Sequence, residues 1–200
     1  MSRVIAINRH LQVAARFPTL PQVEAHIGLR EWLVLIGCGV AAAMAVALIP
    51  PIARIPGHAI LRATLPFAIG LALVPRRSSG TIMALGAGVA SLLLAGCGLG
   101  RFQVPAVVSM LSLGPLIDLA MVRCPAGWRL HWHFILAGVA ANVLAFSVRI
   151  LPLMSSANFG GQRAAAMGWP MTLASFIACG FLAGAISAAL VFRSSSHRAP

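Results

Sequence analysis

Apolar residues gather into six runs of roughly 18 to 23 positions, each long enough to cross a bilayer once as a helix. The runs fall at 32–49, 58–74, 81–99, 102–122, 132–153 and 170–192, and polar residues and proline punctuate the gaps. Pro50-Pro51, Pro56-Gly57 and Pro75-Arg76-Arg77 are the clearest stops. The pattern predicts an all-α protein, a polytopic membrane bundle of six transmembrane helices. Its organisation is an N-terminal tail over 1–30, a membrane domain over 31–193 and a stub over 194–200. In the tail, apolar Val4, Ile5, Ile7, Leu11, Val13 and Ala14 alternate with Arg3, Arg9, Gln12 and Arg16, which suits a short helix lying on a membrane surface. The tail lacks the apolar core and the cleavage site of a secretory signal.

Composition sharpens this picture. Hydrophobic residues make up 60% of the 200 positions and charged ones 9%, far below the quarter or so expected of a soluble domain. Between the runs there is no room for a catalytic or nucleotide-binding domain. Net charge is +12 and every one of the fifteen cations is arginine. These arginines are dispersed along the chain, so they read as flanks of membrane spans and contacts to membrane lipids, not as a nucleic-acid surface.

Their placement sets an orientation. Ten fall on one predicted side: Arg3, Arg9, Arg16, Arg30, Arg76, Arg77, Arg123, Arg129, Arg193 and Arg198. Three fall on the other, Arg54, Arg101 and Arg163, while Arg62 and Arg149 lie inside spans. The bias predicts cytoplasmic N and C termini in a cell inner membrane. Trp32, Trp132 and Trp169 stand at span ends, where aromatic anchors belong.

Charges inside spans are the candidates for chemistry. Asp118 lies near the cytoplasmic end of the fourth span, and a carboxylate in hydrocarbon costs at least ~2.5 kcal/mol. A structural ion pair is expected, with Arg76, Arg77 or Arg123 as partner. A proton relay is the competing role, but no second intramembrane acid stands ready to pass a proton on.

Arg62 and Arg149 both fall toward the predicted outer face. His58 is four residues before Arg62, on the same helix face, and Asn142 belongs to the same half. With no acid predicted there, Arg62, Arg149, Asn142 and His58 form a candidate site for a small polar or anionic ligand, because arginine presents a planar fork to carboxylate or phosphate. The competing role for the arginines is reaching toward lipid phosphate.

The first span carries two ridges of small residues, Gly39-Ala43-Ala47 and Gly37-Ala41-Ala45, which permit close approach of another helix from within the bundle or from a partner. Pro105, Gly114 and Pro115 interrupt the fourth span, and Pro66 and Gly70 mark the second. Cys38, Cys97, Cys124 and Cys179 form no C-x-x-C pair and have no histidine at ligand spacing, so no metal and no cofactor are expected. G-x-S-x-G, H-E-x-x-H and Walker patterns are absent, as are paired intramembrane acids. The chain is not expected to be an enzyme.

These features together resemble the substrate-binding S component of energy-coupling-factor (ECF) vitamin transporters. The resemblance covers about 32–192: six helices, cytoplasmic termini and the small ridge of the first helix. Pro75-Arg76-Arg77-Ser78-Ser79-Gly80 looks like the family's cytoplasmic helix connection, and Leu113-Gly114-Pro115-Leu116-Ile117-Asp118 like a Gly-Pro-containing fourth helix. The resemblance implies a vitamin uptake subunit energised by a separate coupling subunit and ATPases. Ala41 to Ala45 and Ala43 to Ala47 would then dock on the coupling subunit, and the ligand would sit in the outer half. No N-terminal histidine suited to a nickel or cobalt component is present. The alternatives are a structural or assembly protein acting through helix contacts and, less favoured, a membrane-embedded enzyme relying on Asp118 or His58.

Overall fold

A computed structural model describes residues 27–49, 56–76, 78–99, 103–122, 128–155 and 168–192. The N-terminal tail, Arg54, Arg77, Arg101, Arg123, Cys124, Asn158, Gln162, Arg163 and the C-terminal stub lie outside the described residues. Six helices form: α1 Leu29–Leu48, α2 Ala59–Leu73, α3 Ser79–Gly96, α4 Val104–Val122, α5 Trp128–Ser155 and α6 Trp169–Val191. No strand occurs among the described residues. Five of these helices are long and apolar enough to cross a membrane, and α2 is the exception. Its 15 residues span only about 22 Å, against about 30 Å of hydrocarbon.

Local chemistry sets the boundaries. Glu31 reaches back from the first turn of α1 to accept a hydrogen bond from the Gly28 N–H at 3.1 Å. Gly57, at φ 86°, makes the turn into α2 that a residue with a Cβ resists. Between α2 and α3, the Ser79 hydroxyl donates to the Val74 carbonyl at 2.6 Å and accepts from the Arg76 N–H at 3.2 Å. Gly98, at φ 70°, ends α3 in the left-handed conformation that commonly closes helices. Pro105 does not break its span as the sequence suggests. It falls in the first turn of α4, where no N–H is needed. Pro115 lies inside α4 and Pro66 inside α2, and each deprives one carbonyl of its partner.

The helices close a ring in the order α1, α3, α4, α5, α6, α2 and back to α1. Alone among them, α2 touches each of the other five, and its Ile60, Ala63, Phe67, Ala68 and Leu71 are buried. The short helix thus packs against every other helix while leaving Leu65 and Ile69 exposed on one face. Between α2 and α6, Thr64 and Ser187 share a buried hydrogen bond of 3.0 Å. α1 is the most peripheral: 22% of its span is buried, against 44% for α3, α4 and α5. Consecutive helices run in opposite directions, so the bundle has two ends. One holds Asp118 and the starts of α1, α3 and α5; the other holds Arg62 and the ends of those helices.

Candidate functional site

At the Arg62 end a cavity of about 520 Å³ opens among α1, α2, α3 and α4. α1 contributes Ala43, Val46, Ala47 and Ile49, and α2 contributes His58, Ala59 and Arg62. From α3 come Ser91, Leu94 and Ala95, with Gly98 and Leu99 beyond its end, and from α4 Ala106, Val107 and Met110, with Gln103 just before it. The volume sits within the range of small-molecule sites.

Arg62 is fixed at its wall. Its Nη1 donates to the Val46 carbonyl at 3.2 Å and to the Ile49 carbonyl, capping the C-terminal end of α1 from the neighbouring helix. Placing a guanidinium against the negative end of a helix dipole stabilises both. Both bonds use one nitrogen, so Nε and Nη2 keep their donor capacity. The Ser91 hydroxyl donates to the Ala87 carbonyl of its own helix at 2.7 Å. No carboxylate stands among the described lining residues.

Of the four residues expected to bind ligand, the structure brings together His58 and Arg62 and leaves the other two apart. Asn142 is buried between α5 and α6. Its Nδ2 donates to the Phe176 carbonyl at 2.6 Å and to the Gly57 carbonyl at 3.3 Å. That amide joins two helices to the turn before α2, beside the edge-on pair Phe146 and Phe176 with centroids 5.6 Å apart. Arg149 is exposed on α5 and does not line the cavity. The sequence had offered no sign of Ser91 or Gly98; both are brought to the wall by the end of α3.

The opposite end shows what holds Asp118 among the described residues. Asp118 does not pair with Arg76. One carboxylate oxygen accepts from the Gly80 N–H at 2.8 Å, and the other accepts from the Thr81 N–H at 2.7 Å and the Thr81 hydroxyl at 2.6 Å. Asp118 therefore caps the start of α3 from α4, satisfying N–H groups that a helix leaves free in its first turn. Arg76 forms its ion pair with Glu31 instead, at 2.9 Å. Arg77 and Arg123 lie outside the described residues. The cap depends on close approach of the two helices, because a Cβ on Gly80 or Gly114 would overlap the other's carbonyl oxygen.

The two small-residue ridges of α1 have different fates. Gly39 and Ala43 are buried, and a Cβ on Gly39 would overlap the Met83 carbonyl oxygen of α3. Gly39 and Ala43 are thus internal packing positions, not a docking face, and Ala47 lines the cavity. On the other ridge Gly37 and Ala41 are exposed and Ala45 is half-buried. No set of three or more His, Cys, Asp or Glu side chains able to hold a metal comes together among the described residues. No family model matches the chain, and no curated protein or solved structure matches it significantly.

Proposed function

We propose that this multi-pass membrane protein is the substrate-binding S component of an ECF-type micronutrient uptake transporter. In this reading all six helices cross the inner membrane, with α2 as a short crossing sheltered by the others, and both termini are cytoplasmic. The cavity beside Arg62 carries the proposal. It is concave, of ligand size, open at the end the arginine bias assigns to the exterior, and furnished with a cation but no described carboxylate. Arg62 and His58 orient the ligand, while Asn142 serves packing and Arg149 lies apart from the site.

The coupling subunit docks on the exposed Gly37-Ala41-Ala45 face of α1, which lets a foreign helix approach closely. Energy comes from separate ATPases. Purification of the tagged protein from native membranes tests the assignment: a coupling protein and an ATPase pair should accompany it. Recovery of the chain with neither, and with no bound small molecule, would sink the reading.

The same exposed ridge favours a second reading, an assembly protein that works through helix contacts alone. It predicts that Ala41→Leu abolishes function while Arg62→Met leaves it intact, whereas the transport reading requires both to fail.

A further inference from the structure

The chemistry of the cavity wall narrows the ligand. This step rests on the cavity being the ligand site. Its polar groups are concentrated at the mouth: Gln103 just before α4 starts, His58 at the turn into α2, and the Arg62 head against the Val46 and Ile49 carbonyls. The floor is aliphatic apart from Ser91, whose hydroxyl is spent on the Ala87 carbonyl. Met110 lies seven residues along α4 from Gln103, and Ala43 six residues back from Ile49, which places both about 10 Å below the mouth. No Phe or Trp side chain stands among the described lining residues, so the wall offers mainly aliphatic contact. Arg62 is the one permanent cation among the described lining residues, and one of its nitrogens is already committed to α1. Among those residues a dianion would leave one charge without a partner, whereas a monoanion can be matched by the remaining fork.

We propose that the cavity takes a compact aliphatic monocarboxylate, its head at Arg62 and its tail directed to Met110. The carboxylate accepts from the free side of the guanidinium. The tail replaces water along the half-buried Val46, Ala47, Leu94 and Val107, and its length is limited by the buried Ala43 and Met110 at the floor. Such an acid can arrive from the aqueous exterior or from the bilayer as a fatty acid. The short depth assigns it to the aqueous source.

A homologous series tests this. Straight-chain carboxylates from acetate to palmitate are titrated calorimetrically into the protein in nanodiscs, with empty nanodiscs as the blank. Affinity should rise about fourfold per methylene until the chain reaches Met110, then level off or fall. Arg62→Met should weaken every member by about ten- to a hundredfold, the loss of one charge-assisted hydrogen bond. Ala106→Leu keeps Arg62 in place and should move the optimum to shorter chains, so the proposal remains testable should Arg62→Met unfold. Matched n-alkylamines should bind no more tightly than to empty discs.

Equal binding of the amines would overturn the proposal, as would an unchanged optimum in Ala106→Leu. A continuous rise to palmitate would assign the cavity to bilayer fatty acids and overturn the aqueous, compact ligand. The ATPase co-purification is independent of this series. A chain that brings down its ATPases yet prefers amines keeps the transport reading and loses this one.

Discussion

Each end of the bundle answers the same problem, an ionisable side chain near hydrocarbon, with the same device: the charge caps a neighbouring helix. At one end Asp118 on α4 holds the N–H groups that open α3. At the other Arg62 on α2 holds the carbonyls that close α1. The signs agree with the helix dipole at both ends, an anion at an N-terminus and a cation at a C-terminus. The surroundings differ. Around Asp118 the helices approach so closely at Gly80 and Gly114 that no side chain fits between them, and three donors occupy the carboxylate. Around Arg62 the helices part to leave about 520 Å³, and the guanidinium keeps donors to spare. One cap is closed; the other is half-used and faces a cavity.

The largest effect should come from the closed end. Asp118→Ala strands the Gly80 and Thr81 N–H groups away from water, at about 1–3 kcal/mol for each orphaned donor. Asp118→Asn keeps one acceptor but turns an NH₂ toward the other donor, so it should lose about half as much. Denaturant unfolding in detergent measures both. Should Asp118→Ala unfold at the same midpoint as the parent protein, the cap contributes nothing and the contrast between the ends dissolves. Should Asp118→Asn retain stability yet lose uptake, Asp118 acts in ion coupling and the closed end is functional too.

How this contrast was hidden in the sequence is instructive. The apolar runs of α1, α3, α4, α5 and α6 were legible because hydrocarbon tolerates few alternatives to a long apolar helix. The run at 58–74 matches Ala59–Leu73 to one residue at each end, but its apolar composition did not reveal that it is shorter than a span. Asp118 was noticed for its charge, but its role as a cap on α3 was not. Sequence letters show arginines and not the unpaired N–H groups at a helix start, and Ser78-Ser79-Gly80-Thr81 was the available hint of one. Arg62 and His58 line the same cavity because a spacing of four keeps two residues on one side of a helix. Arg149 and Asn142 were misplaced for the opposite reason. The helices are apolar on every side, so no polar stripe reveals which face turns inward.

The next effect distinguishes the two faces of α1, which separates the open end's wall from the bundle's exterior. Ala43 is buried to 1% exposure against α3, whereas Ala41 is exposed. Ala43→Leu should destabilise by about 1–3 kcal/mol through overpacking. Ala41→Leu should stay within about 0.5 kcal/mol of the parent, as surface changes do, yet abolish recovery of the coupling subunit. Unfolding and co-purification on the same two variants read both quantities. Loss of the partner in Ala43→Leu with none in Ala41→Leu would return the docking face to the inner ridge.

The smallest effect belongs to Arg149, and its smallness is informative. It lies 20 residues from Arg129 on the single long helix α5, a rise of about 30 Å, the thickness of the hydrocarbon layer. Both side chains are exposed. If α5 crosses the bilayer as proposed, this spacing puts one arginine at each headgroup level, with Arg149 reaching lipid phosphate outside the cavity. Arg149→Leu should therefore leave carboxylate affinity unchanged within twofold and stability within about 0.5 kcal/mol. Arg62→Met, by contrast, should lose both the ligand and part of the α1 cap. Titrating one carboxylate into both variants in anionic and in zwitterionic nanodiscs separates the roles. A loss of affinity in Arg149→Leu equal to that in Arg62→Met would mean that the two arginines converge on one ligand, and that the open end is wider than the walls around Arg62 define.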